Sequence, residues 1–279
     1  MEYLDFRPEV EGSIELAYKV FFVAPYKSGS TMLFEYVRDL LKYFNIAFID
    51  YPSFYFLKHY NLLRNFYDNE SSYKLYDKKI AYIGHREIPI SLLKNNLCKD
   101  FATFVLLRNP LDALVSMYFS FIYSHPIPDS WDDETKRKAK EHMEELKRKF
   151  TIEAYVIENA HFYHQILKRI FEFCNKSMFY RIIKYENIIF DKKLLVENIL
   201  DFLNCCSIDS NFDLPKDQLD TLAYKYHIIP EKENIYSHIR KVIPGDYKEK
   251  LKEDICRYLA TTFYDLVKDF YPELREYIR

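Results

Sequence analysis

Apolar residues along this chain follow two periods. KVFFVA (19–24), IAFID (46–50), KIAYIG (79–84), ATFVLL (102–107) and MFYRIIKY (178–185) are short, largely unbroken apolar runs. Runs of this length read as strands buried on both faces. After Thr31 the spacing changes: Leu33, Phe34, Val37, Leu40, Leu41 and Phe44 recur every three or four residues, the signature of an amphipathic helix. Residues 111–123, 151–173 and 192–204 repeat it. Strands alternating with helices predict an α/β fold, a mostly parallel central sheet with helices on both faces in three layers. In such sheets ligands bind at the carboxyl ends of the strands. No internal repeat, low-complexity linker or clear boundary breaks the pattern, so residues 1–279 read as a single domain.

One stretch is different. WDDETKRKAKEHMEELKRKF (131–150) is densely charged, yet Ala139, Met143, Leu146 and Phe150 form one apolar stripe. Charges of both signs favour a solvated helix over a nucleic-acid patch. A lid is the second reading, from its place between motifs. The formal net charge of −2 gives no reason to expect nucleic acid as a partner. No apolar run reaches the roughly 18 residues of a membrane span, and MEYLDFRPEVEG does not read as a signal peptide. The five cysteines are odd in number, scattered and without a C-x-x-C pair. They suggest reduced thiols in the cytoplasm and no zinc site. Only four glycines occur, Gly12, Gly29, Gly84 and Gly245, and a chain this sparing keeps glycine where a side chain is not tolerated.

Gly29 lies in PYKSGSTML (25–33), between a strand and a helix start. The unpaired N–H groups and dipole of a helix N-terminus attract anions. Ser28, Ser30 and Thr31 add hydroxyls, and Lys27 adds charge; an ordinary serine-rich turn is the competing reading. A nucleotide P-loop does not fit, because that motif puts its lysine after the second glycine. Lys27 instead precedes Gly29, and the strand ATFVLL ends in Arg108 where a metal-holding Asp would be expected. The ligand should be a phosphorylated anion met by cationic side chains, with no obligatory metal.

LRNPLDALVSMYF repeats the device. Asn109 is a good N-cap and Pro110 suits the first helical turn. Ala113, Leu114, Met117, Tyr118 and Phe121 mark the buried face, and Ser116 lies off it. Arg108 and Ser116 could grip a second phosphate, or Arg108 could cap a loop. Further on, adjacent Arg240 and Lys241 precede Pro244-Gly245-Asp246, which reads as a turn into a helix.

PYKSGSTML, LRNPLDALVSMYF, KYENI and RKVIPGDYKEKL, in this order, resemble the soluble sulfotransferases that use 3′-phosphoadenosine 5′-phosphosulfate (PAPS). The resemblance runs from about Val20 to Leu251. It implies the P-loop-like sulfotransferase architecture, with PAPS as donor and adenosine 3′,5′-bisphosphate (PAP) as product. It implies that Lys27, Ser28, Gly29, Ser30 and Thr31 bind the 5′-phosphosulfate. Arg108 and Ser116 would bind the 3′-phosphate, with Arg240 and Lys241 closing over it, and Tyr185 would lie beside the adenine. Met32 stands where the family usually has an adenine-stacking Trp. Val242 replaces a common glycine, and Ile83 occupies the position of a lysine often found two residues before a histidine.

That histidine is His85 in YIGHREIPISLL, expected just past a strand end. An acceptor hydroxyl or amine loses a proton as it attacks sulfur, and His85 is the expected general base, with Lys27 steadying the leaving oxygen. His161 and His164, three apart on a helix, lack an identifiable third ligand and read as packing or acceptor-pocket residues. DYPSFYFLKHY (50–60) and YFSFIYSHP (118–126) could line an apolar pocket for a small acceptor or form core. A PAPS-binding protein without catalysis, and a nucleotide phosphotransferase, are the other functions weighed; Lys27 together with His85 opposes the first, and the reversed loop opposes the second.

Overall fold

The five apolar runs form one five-stranded sheet in the order β2-β3-β1-β4-β5, with every strand pair parallel. The structure is a computed structural model that describes residues 8–58, 66–68, 75–94, 97–208, 211–226, 228–230, 232–237 and 240–278. The strands are β1 (Lys19–Val23), β2 (Phe48–Ile49), β3 (Ala81–His85), β4 (Phe101–Leu107) and β5 (Phe179–Lys184). The main helices are α1 (Ser30–Tyr43), α2 (Tyr51–Lys58), α3 (Pro110–Phe119), α4 (Asp133–Lys149), α5 (Ile152–Lys176), α6 (Lys192–Cys205), α7 (Lys216–Lys225) and α8 (Glu253–Val267). Short helical turns at Ile90–Lys94, Tyr185–Ile188 and Tyr247–Lys250 complete the connections.

Backbone contacts group the chain into two compact units. One comprises Met1–Pro25, Gly29–Leu107 and Arg169–His227; the other comprises Tyr26–Ser28, Arg108–Lys168 and Ile228–Arg279. The first holds the whole sheet. Alternation along a strand sends neighbouring side chains to opposite faces, and adjacent phenylalanines of β1 show it. Phe21 packs with Phe101 and, from the end of α5, Phe173. Phe22 packs on the other face with Phe104 and with Phe202 of α6. Helices therefore cover both faces, which is why β1 and β4 can be almost wholly apolar.

The chain leaves β1 and β4 in opposite directions across the sheet, toward β2 on one side and β5 on the other. Such a reversal is a topological switch point, the usual ligand position in open α/β sheets. The second unit contains α3, α4 and α8. Helix α4 is capped by Asp132, whose carboxylate accepts from Thr135 N–H, and none of its residues is fully buried. It is the solvated helix its charges predict.

Some local expectations change. IAFID contributes only Phe48–Ile49 to the sheet. Tyr185 opens a short helix and does not end a strand. Past Phe119 the helix widens into a π-turn over Ser120–Ser124, which shifts the period by a residue. Ile122 is therefore buried and Phe121 is left half-exposed. In DYPSFYFLKHY, Tyr51 and Tyr55 are buried; residues 59 and 60 lie outside the described residues. None of the described helices is long and apolar enough to cross a membrane.

Candidate active site

The loop after β1 departs from ordinary backbone twice. Lys27 has φ 63° and Gly29 has φ 82°. Left-handed backbone at a non-glycine residue costs roughly 1–3 kcal/mol and is kept where surrounding structure enforces it. Here the enforcement is visible within the second unit. Arg108 donates to the Lys27 carbonyl at 3.1 Å, and the Tyr163 hydroxyl donates to the Tyr26 carbonyl at 3.1 Å. Tyr163 also stands 3.4 Å from the Ser28 hydroxyl, and Ser28 is fully buried. The Ser28 side chain is thus engaged with Tyr163.

Gly29, in the first unit, is required for two reasons. Its φ is positive, and an added Cβ would lie 2.9 Å from the Tyr185 ring. Tyr185 is buried against this glycine. As the residue before α1, Gly29 supplies no capping side chain, so the first helical N–H groups keep their attraction for an anion. Ser30 is the first residue of α1 and accepts a hydrogen bond from Arg86 Nε at 3.2 Å; Thr31 is exposed and Met32 half-buried.

The second predicted anion grip is built as expected at its start. Asn109 caps α3 through its side chain, which accepts from Leu111 N–H at 3.0 Å, and Pro110 opens the helix. Arg108 is buried beside the Lys27 carbonyl. Ser116 is half-exposed while its neighbours in the helix from Pro110 to Val115 are buried. Asp112, unnoticed in the sequence, is buried and accepts from Gly245 N–H at 2.6 Å and Tyr247 N–H at 3.0 Å. It fixes the turn that follows the Arg-Lys pair.

Arg240 and Lys241 stand side by side but not bare. Arg240 pairs with both Glu233 and Asp246 and lies 4.1 Å above the Phe119 ring. Lys241 reaches Asp246 at 3.1 Å and Glu249 at 2.7 Å. Burial alone would raise the Asp246 pKa, but hydrogen bonds and charge from Arg240 and Lys241 outweigh it and hold the carboxyl below its usual value. Asp246 thus stays ionised and pins both cations.

His85 differs from expectation. It is the last residue of β3, not the residue beyond it, and its side chain is fully buried. The cause is a bulge. Phe21 pairs with Tyr82 but Val23 pairs with His85, so the register slips by one residue around Gly84. Gly84 permits this, having φ 86° and no room for a Cβ, which would meet the Asp50 carboxylate at 2.1 Å. A bulge re-aims the following side chain. His85 accordingly faces Phe21, with ring centroids 4.2 Å apart, and also packs on Phe66 and Tyr67. Burial lowers its pKa well below 6.5. The ring is therefore neutral at pH 7, the form a base requires.

The model of the sulfotransferase domain matches residues 18–271. The chain belongs to the sulfotransferase family. No curated protein matches it in sequence. Solved structures share its fold at low identity. A mouse sulfotransferase complexed with PAP (SULT7A1) is 15% identical, covering 94% of this chain and 90% of that one at a TM-score of 0.53. Retinol dehydratase, solved with androsterone and the inactive cofactor PAP, is 16% identical, covering 92% and 82% at a TM-score of 0.53. A second structure of that enzyme holds retinol and PAP and gives a TM-score of 0.51.

This sulfotransferase carries a donor set suited to a tetrahedral oxyanion. It comprises, within the first unit, an uncapped helix start and a glycine with no space for a side chain. His161 and His164 stack on α5 with ring centroids 6.5 Å apart. Among the described residues no group of three His, Cys, Asp or Glu is placed to hold a metal. Tyr163, Asp112 and Arg86 are the positions sequence reading missed. Each acts on residues distant along the chain, and no local pattern signals them.

Proposed function

We propose that this sulfotransferase moves the sulfuryl group of PAPS to a hydroxyl, or an amine, of a small apolar acceptor. The observation that carries the reading is the loop from Lys27 to Ser30, left-handed at Lys27 and Gly29 and opening directly into uncapped α1. Its donor is PAPS, which supplies an activated sulfuryl group on a bridging phosphate oxygen.

Lys27 and the backbone N–H groups from Ser28 to Thr31 bind the phosphosulfate. Lys27 neutralises the negative charge that develops on the bridging oxygen, an interaction that strengthens toward the transition state. Arg108 and Ser116 hold the 3′-phosphate, joined by Arg240 and Lys241, whose pairing with Asp246 fixes them in advance. Tyr185 and Met32 flank the adenine. His85 takes the acceptor proton. The aromatic rings of Phe21, Phe66 and Tyr67 around it exclude water and favour an apolar acceptor. Retinol dehydratase is solved with androsterone and with retinol; we extend to this chain the class they share, a hydroxyl on an apolar skeleton. The family match runs through residues of both units, which supports reading residues 1–279 as one sulfotransferase domain. Five free cysteines suit the reducing cytoplasm.

The test is transfer of radiolabelled sulfate from PAPS to phenols, steroid alcohols and retinoid alcohols. Activity that needs no added divalent cation, and that Lys27→Ala abolishes, is expected. Stabilisation by Mg-ATP but not by PAP would overturn the reading.

A further inference from the structure

A cation reaches the start of α1 from the segment that carries His85. Arg86, immediately after His85, is half-buried and donates from Nε to the Ser30 hydroxyl at 3.2 Å. Its backbone N–H is held by the Tyr67 hydroxyl at 3.3 Å. The neighbouring Glu87 carboxylate faces Arg169 at 3.9 Å, and among the described residues no carboxylate pairs with Arg86. The guanidinium is therefore anchored through Nε to the first residue of α1. All these residues belong to the first unit.

We infer that Arg86 is a catalytic residue that binds the non-bridging oxygens of the transferring sulfuryl group. The inference rests on the PAPS reading above. A guanidinium suits the task, because its planar fork meets two oxyanion oxygens at once and it does not lose its proton. In the step, the acceptor oxygen bonds to sulfur and its proton passes to His85. The bond from sulfur to the bridging phosphate oxygen breaks, and its electron pair stays on that oxygen. Arg86 keeps its proton throughout and stabilises the sulfuryl oxygens between donor and acceptor.

PAP lacks the sulfuryl group, which separates this role from general cofactor binding. Arg86→Ala should lower kcat with PAPS about 100-fold or more, the usual effect of losing one preorganised oxyanion donor. Its affinity for PAP, measured by calorimetry, should stay within about two-fold of wild type. Arg86→Lys should retain part of the rate, and millimolar guanidinium chloride should restore part of it to Arg86→Ala. If Arg86 only positioned Ser30, adding Arg86→Ala to Ser30→Ala would cost nothing further; a further loss of about tenfold is expected. A kcat within about two-fold of wild type, or a rate loss matched by an equal loss of PAP affinity, would overturn the assignment while leaving the PAPS reading intact. Failure of the wild type to bind PAP would overturn both.

Discussion

A single histidine shows how the environment sets chemistry. His85 lies among Phe21, Phe66 and Tyr67, and burial depresses its pKa well below 6.5. In the general-base role proposed for it, His85 should stay unprotonated throughout the neutral range. The kcat/KM profile is expected to be flat near pH 7 and to fall only at acidic pH, with a midpoint below 6.5; a midpoint above 6.5 would contradict the burial. The same shift enters stability. In the unfolded chain the ring takes up a proton below about pH 6.5, whereas the folded ring resists it. Its contribution is therefore fully present above the unfolded value and is lost as pH falls toward the folded one. The slope is at most about 1.4 kcal/mol per pH unit. Urea midpoints of wild type and His85→Phe should be compared from pH 7 to pH 5; the wild-type midpoint should fall relative to that of the variant as pH drops. Gly29 makes a second test at this scale. Gly29→Ala combines φ 82° with a Cβ 2.9 Å from Tyr185, so a loss of about 1–3 kcal/mol is expected. The KM for PAPS should rise as well, because the loop backbone must shift.

At the scale of elements, the connection between α3 and the turn at 244–247 depends on Asp112. Its two oxygens receive Gly245 N–H and Tyr247 N–H, and hydrogen bonds to a buried charge are each worth about 1.5–3 kcal/mol. Asp112→Ala should destabilise the protein by roughly 2–4 kcal/mol, read by urea unfolding. Asp112→Asn, which keeps one acceptor oxygen, should lose less. Both should weaken PAP binding, since the turn positions Arg240 and Lys241; PAP affinity unchanged in both would remove that pair from the site. The elements themselves were legible in the sequence. Short apolar runs located all five strands, and residue type located the cap at Asn109, because strand composition and capping are local properties. The bulge at Gly84 was not legible, because a one-residue slip between β1 and β3 leaves no trace in either strand's own pattern. Asp112 and Gly245 are 133 residues apart, Ser28 and Tyr163 are 135 apart, and Ser30 and Arg86 are 56 apart. Such pairs follow from the order of strands and the packing of helices. Local spacing carries neither.

For the whole molecule, the opposing charges decide how an anion is held. The chain carries 40 Lys and Arg against 42 Asp and Glu, so its net field does not attract a polyanion such as PAP. Binding is expected to rest on short-range donors, and the proposed ones include the buried Arg108 on the Lys27 carbonyl and Arg240, which pairs with Asp246. This predicts a distinct thermodynamic pattern. PAP at about 100 times its dissociation constant should stabilise the folded protein by about 2.7 kcal/mol. For a chain of this size that corresponds to a melting temperature about 4–6 °C higher. Buried contacts are screened less than exposed ones, so most of the shift should survive 0.5 M salt. Arg108→Ala should shrink the PAP shift and also lower the melting temperature without ligand, because the Lys27 carbonyl loses its donor. Lys27→Ala should shrink the PAP-induced shift more than it changes the unliganded melting temperature. A shift that vanished in salt for the wild type would mean that PAP meets surface charge alone, and the loop from Lys27 to Ser30 would lose its role as the anion site.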